Sequence, residues 1–287
     1  MKGQDADYPY PSLSPKGTIS QIVGNTLISI EYERPSSRKR QIFGELVPWG
    51  KVWRTGAGNC TKISFNKDVI VGGQKVKAGK YSLFTIPNPK EWIVILNSDT
   101  SLYGSFDYNS EKDVARFPAI PTQTGRFYET LNFDIELVPN NAKIFISWAN
   151  VQVGFNVETT TDEEIEEFIQ SELLSRKNKD SDIYAGAAEY LFYQNKNLMD
   201  ALKLADFAIE LNPDNGWARL LKVRIYKKLK QLDKAFDELK EGIEHIQSAE
   251  YKDEKERQNS LRQFRLEYKR IVRSVGKNRE ELKKEKE

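Results

Sequence analysis

The chain has 287 residues, long enough for two domains, and its 39% hydrophobic and 11% aromatic content is enough to build cores. The formal net charge is +2 with no concentrated basic run, which argues against nucleic-acid binding. One cysteine excludes an internal disulfide, one histidine excludes a multi-histidine zinc site, and no apolar run approaches the ~20 residues of a membrane-spanning helix.

Met1-Lys2-Gly3, followed by a polar, Pro-rich run to Pro11, reads as a mature N-terminus behind a replaced leader. By composition alone it reads equally as the disordered tail of a cytosolic protein. Residues 1–13 are expected to be flexible.

The text changes character near residue 158, with thirteen of 17 glycines and four of five tryptophans before that point. The first half alternates as strands do. Thr18–Val23 and Ile28–Tyr32 flank Gly24-Asn25, a hairpin signal. Thr61–Phe65 alternates again, Val69–Val71 leads into Gly72-Gly73, and Tyr81–Ile86 and Trp92–Leu96 flank Pro87-Asn88-Pro89. Leu131–Leu137, Ile144–Trp148 and Val151–Val157 close the half. About eight short, evenly spaced strands predict an all-β sandwich or jelly-roll-like domain over residues 14–157.

The second half is charged, rich in Ala, Leu, Lys and Glu, and repetitive. Ala201, Ala205 and Ala208 map at an offset of 34 onto Ala235, Leu239 and Gly242, and Phe192 maps onto Tyr226. That period and its small residues mark tetratricopeptide-like helix pairs, one over 182–215 and one over 216–249. A helix over 251–275 would cap them, completing an all-α domain at 182–275. Residues 158–181 read as a connecting helix or linker, and 276–287 as a charged tail.

No phosphate-binding loop occurs, and Gly56-Ala57-Gly58 lacks the strand–helix setting of a dinucleotide site. Cys60 has no histidine in its half to activate it, so it reads as a small buried residue entering a strand. Arg38-Lys39-Arg40, ahead of Gln41-Ile42-Phe43-Gly44, could meet an anionic ligand or a membrane surface, but three charges make a modest field and the run reads first as a solvated loop. Glu31 with Glu33, and Asp134 with Glu136, share strand faces, as solvated carboxylates do.

The densest functional signal is Pro48–Cys60, with two tryptophans, two cations and three glycines. Trp49 and Trp53 could stack on a sugar or aromatic ligand, with Arg34, Lys51, Arg54 and Asn59 supplying polar contacts. The structural alternative plugs Trp53 into the sandwich and pairs Arg54 with a strand carboxylate.

At these residues the chain resembles the bacterial family catalogued as domain of unknown function 2911. The matching text includes Ser14-Pro15-Lys16-Gly17, Ile30–Ser36, Arg40–Gly44, Leu46–Ala57, Lys77–Pro87 and Glu91–Asn97. The helical half is similar to the tetratricopeptide extension that some such proteins carry. The resemblance implies an extracytoplasmic protein made with a leader, and it implies no activity. In the family text Gly-Ala is usually followed by Asn-Glu, whereas Gly58-Asn59-Cys60 follows here.

The sequence therefore points to a non-enzymatic binding or scaffold protein. A small molecule or glycan is expected at the sandwich, and a peptide or protein at the repeats, with Tyr184, Tyr193 and Trp217 as candidate groove residues. No cofactor, metal or nucleic acid is expected. The alternative is a carbohydrate-active or other hydrolase with two carboxylates facing each other near Trp49 or Trp53.

Overall fold

The computed structural model describes residues 10–248 and 254–284, so most of the expected flexible segment lies outside the described residues. The chain divides into two compact units after Glu164.

The first unit is a two-sheet antiparallel β domain. One sheet has the order β1-β2-β3-β6-β7-β8, built from β1 (Lys16–Val23), β2 (Thr26–Glu33), β3 (Thr61–Phe65), β6 (Gly79–Ile86), β7 (Trp92–Asn97) and β8 (Asp113–Ala119). The other has the order β5-β4-β10-β9, from β4 (Val69–Val71), β5 (Gln74–Val76), β9 (Pro121–Val138) and β10 (Asn141–Thr159). In β2, Thr26, Ile28, Ile30 and Tyr32 point inward between more exposed residues, as a strand with one buried face requires. Side chains from both sheets form one core, among them Ile30, Ile63, Leu83, Val94, Ile144 and Val157.

Three strand features depart from the sequence expectation. β8 is an edge strand that tolerates Pro118; it alternates at Ala115, Phe117 and Ala119, but two small alanines and a proline make that pattern faint, and the first half of β9 is polar and exposed. The expected strands on either side of Ala149-Asn150 are one strand, β10. Its register shifts at Ala149, whose φ is +51°, so the break in the pattern is a β-bulge rather than a strand end.

The β2–β3 connection, residues 34–60, ties the two sheets together. Ser37 N–H donates to the Glu129 carbonyl at 2.7 Å, which attaches the connection to β9. Further on, Trp53 exchanges two backbone hydrogen bonds with Thr85 of β6, at 2.7 and 2.9 Å.

The second unit is helical. After α1 (Thr161–Phe168) and a π-helical turn (Ile169–Leu173) come α2 (Ser181–Tyr193), α3 (Leu198–Leu211), α4 (Gly216–Lys228), α5 (Leu232–Ser248) and α6 (Glu254–Lys284). Asp180, Asn197 and Asn215 cap α2, α3 and α4 by accepting from backbone N–H groups in the first turns. Ala201, Ala205, Ala208, Ala235, Leu239 and Gly242 of the 34-residue period are buried where helices meet, while Phe192 and Tyr226 are partly buried against the same core. Leu261, Phe264 and Ile271 of α6 complete the apolar core of α4 and α5. That helix continues through the expected charged tail to Lys284, and residues 285–287 lie outside the described residues.

Gly242 shows why the period demands small residues. A Cβ there would lie 2.3 Å from Cε1 of the buried Phe264 ring. Gly242→Ala is expected to destabilise the helical unit by about 1–3 kcal/mol through overpacking. Thermal unfolding checks this; an unchanged midpoint would show that Phe264 has room to give way.

Candidate functional site

Four of the five tryptophans meet at one end of the sandwich. Trp53 stacks on Trp148 of β10 at 5.8 Å between ring centroids and meets Trp92 of β7 edge-on at 6.3 Å. Phe43 sits between, 4.9 Å from Trp92 and 6.0 Å from Trp49. The indole N–H of Trp53 donates to the Gly56 carbonyl at 3.1 Å, closing the tight turn around Gly56. Trp53 is thus a plug across the two sheets, whereas Trp49, 38% exposed, caps the cluster from outside.

The other sandwich candidates separate. Arg34 braces the sheets: its guanidinium donates to the Leu131 carbonyl at 3.2 Å and to Thr130 and Asn132 of β9. Lys51 is exposed on a turn. Among the described residues Arg54 does not form the ion pair of the structural alternative, and its Nε is buried without a hydrogen-bond partner. The carboxylate of Glu33 instead accepts from the backbone and side-chain amides of Asn59, each at 3.3 Å. Cys60 is buried and its thiol donates to the Gly104 carbonyl at 2.7 Å; burial pushes its pKa up.

Two cavities of the sandwich bear on function. Glu31 and Glu33 line one of about 250 Å³ together with Lys16, Lys62 and Lys80. Glu31 is held by Lys80 at 2.7 Å, and burial pushes the Lys62 ammonium pKa down. The second is a cleft of about 420 Å³ beside Trp49. Phe43, Trp49, Trp92 and Phe127 form its apolar walls, and its polar lining is Arg40, Gln41, Asn88, Gln123 and Asn150, with no carboxylate. Of this lining, sequence singled out Trp49 as a candidate contact and Arg40 within a basic run; Gln123 and Phe127 lie on the unpatterned half of β9 and Asn150 sits at the bulge.

In the helical unit an open groove of about 770 Å³ runs across the first helices of the successive pairs and the capping helix. Phe192 and Tyr193 come from α2, Arg224, Lys227 and Lys228 from α4, and Glu267 and Arg270 from α6. Glu267, 4% exposed, takes Arg270 at 3.0 Å, Lys227 at 3.5 Å and Arg224 at 3.7 Å. Four cations around one carboxylate leave the groove positive. The Lys228 ammonium lies 4.9 Å from the Phe192 ring centre, and Arg224 lies 5.0 Å from that of Trp217, whose N–H donates to Glu189. Tyr193 is 63% exposed on the groove wall, while Tyr184 is 1% exposed and packs edge-on to Phe207, so its ring belongs to the core. The cations were not singled out in sequence, although the offset of 34 that relates the helix pairs carries Tyr193 onto Lys227.

A two-sheet antiparallel sandwich joined in one chain to tetratricopeptide-type helices defines the class of protein. Residues 14–157 match the family described as "Protein of unknown function (DUF2911)", and residues 192–254 match a tetratricopeptide repeat model. The first match spans half the chain, and the protein belongs to that family. No curated protein and no solved structure matches the chain.

Proposed function

We propose that this is a non-enzymatic, two-module binding protein whose helical module holds an acidic segment of a partner protein and whose sandwich holds a small ligand. The observation that carries the reading is the positive groove across α2, α4 and α6, with aromatic rings on its wall. Repeat helices of this kind present such surfaces to extended peptides. Cations that line a groove with a low-dielectric wall select and steer negatively charged partners. In the same reading the protein works outside the cytoplasm, the setting that the family resemblance implies; cell fractionation checks that placement.

The test is fluorescence anisotropy of a labelled oligoglutamate peptide with the full-length protein. Binding is expected to weaken with added salt. Lys228→Ala with Arg270→Ala removes two groove cations and leaves Glu267 paired with Arg224 and Lys227. The double variant is expected to bind about tenfold more weakly, about 1.4 kcal/mol. Equal binding of an oligolysine peptide, or no effect of the double substitution, would overturn the assignment.

A further inference from the structure

The cleft beside Trp49 combines three features that point to a ligand. The first is exposed aromatic surface: Trp49, 38% exposed, and Phe127, 55% exposed, both line the cleft. The second is its polar lining. The side-chain amides of Gln41, Asn88, Gln123 and Asn150 converge here from the β2–β3 connection, the β6–β7 turn, β9 and the β10 bulge. None of the four has a hydrogen-bond partner among the described residues. The third is Trp92, which lines the cleft yet is 1% exposed, and whose indole N–H is buried without an acceptor among the described residues. Buried donors are nearly always paired, so an orphan beside a cleft marks a place where the protein alone leaves hydrogen bonding incomplete.

The chemistry of the cleft selects its ligand. Among the described residues no carboxylate lines it, and its one cation, Arg40, donates to the Ser37 and Ser36 carbonyls at 3.0 and 2.7 Å. A cationic ligand would find no counter-charge among the described residues, and an anionic one only a guanidinium whose Nε and one Nη are already taken, so a neutral ligand fits the lining best. Side-chain amides each offer donors and an acceptor and suit neighbouring hydroxyls, while flat indole and phenyl faces suit the C–H faces of a pyranose ring. The volume of about 420 Å³ lies within the range of small-ligand sites.

We infer that this cleft binds a neutral carbohydrate, one or two sugar residues deep, with Trp49 and Phe127 stacking on the rings and the four amides reading the hydroxyls. The inference rests on the proposal that the sandwich is a ligand module, and it moves that module's site away from Arg34, Arg54 and Asn59.

Saturation-transfer NMR and intrinsic tryptophan fluorescence of the full-length protein test it, with cellohexaose, xylohexaose, maltohexaose and chitohexaose as probes at millimolar concentration. At least one is expected to bind and to perturb the tryptophan emission. Trp49→Ala and the double variant Gln123→Ala/Asn150→Ala are each expected to weaken that binding at least tenfold. The second pair involves exposed or partly exposed amides without partners and leaves the fold intact, so it stays informative should Trp49→Ala misfold. Failure of all four sugars to bind overturns the inference, as does binding that both variants retain. An oligoproline peptide that perturbs the tryptophans where the sugars do not overturns the carbohydrate assignment and leaves the sandwich a ligand module. Loss of sugar binding alone, with oligoglutamate still bound, leaves the helical module's role intact.

Discussion

Trp92→Ala is expected to lower the stability of the sandwich by about 3–5 kcal/mol, the usual cost of emptying a fully buried tryptophan site. Trp92 is 1% exposed and supports both Phe43 and Trp53, the rings that carry the β2–β3 connection across the two sheets. Its removal leaves a cavity and also releases that connection. For a domain of this size the melting temperature should fall by on the order of 10 °C. Trp92→Phe separates packing from polarity. It keeps a ring against Phe43 and deletes the indole N–H that has no acceptor, a group whose burial costs about 1–3 kcal/mol. The phenylalanine variant should therefore lose less than half of what the alanine variant loses. Equal losses in thermal unfolding would show that the indole ring's full size, rather than an aromatic contact with Phe43, holds this end together.

Glu238→Ala should destabilise the helical unit by a comparable amount, about 3–5 kcal/mol, because it strands the largely buried Arg219 and leaves Lys222 with Asp206 as its one carboxylate partner among the described residues. Glu238 of α5 is 4% exposed and pairs with Arg219 at 3.3 Å and Lys222 at 2.8 Å, both on α4. Lys222 also reaches Asp206 of α3 at 2.8 Å, so one network joins three helices. Glu254→Ala is the control: its pairing with Arg257 is exposed, and exposed pairs contribute little, so stability should barely change. The network also sets a pH dependence. Burial pushes the Lys222 pKa down, but hydrogen bonds to Asp206 and Glu238 outweigh it and the net shift is upward. A raised lysine pKa contributes stability that is complete below the ordinary lysine range and is lost as pH rises through the higher folded-state value. Glu238→Gln should therefore flatten the alkaline loss of stability of the helical unit, measured by denaturant unfolding at a series of pH values. An unchanged alkaline slope would place the linkage elsewhere.

What was legible in the sequence was whatever repeats with a short period. Alternation in Ile28–Tyr32 and Thr61–Phe65 places one face of each strand in the core, and the spacing of 34 among Ala201, Ala205, Ala208 and their partners places the helix pairs. Both signals are local, so they survive without knowledge of neighbours. β8 and the first half of β9 were not legible, because β8 alternates only over Ala115–Ala119 with two alanines and a proline in the run, and the first half of β9 is polar and largely exposed. The candidate site was legible only as composition. Trp49 and Trp53 stand four positions apart in a segment with no period, and the sequence treats them alike. Trp53 is drawn inward by Trp92 and Trp148 from opposite sheets, while Trp49 stays outside on Phe43. Likewise Arg34 and Asn59 looked like ligand contacts until β9 and Glu33 took their hydrogen bonds. The sequence by itself determined the two domain types, the strands that alternate and the family. Tertiary structure alone decided which side chains of the 34–60 connection are plug, brace or open surface, because burial there depends on partners far along the chain that no local pattern encodes.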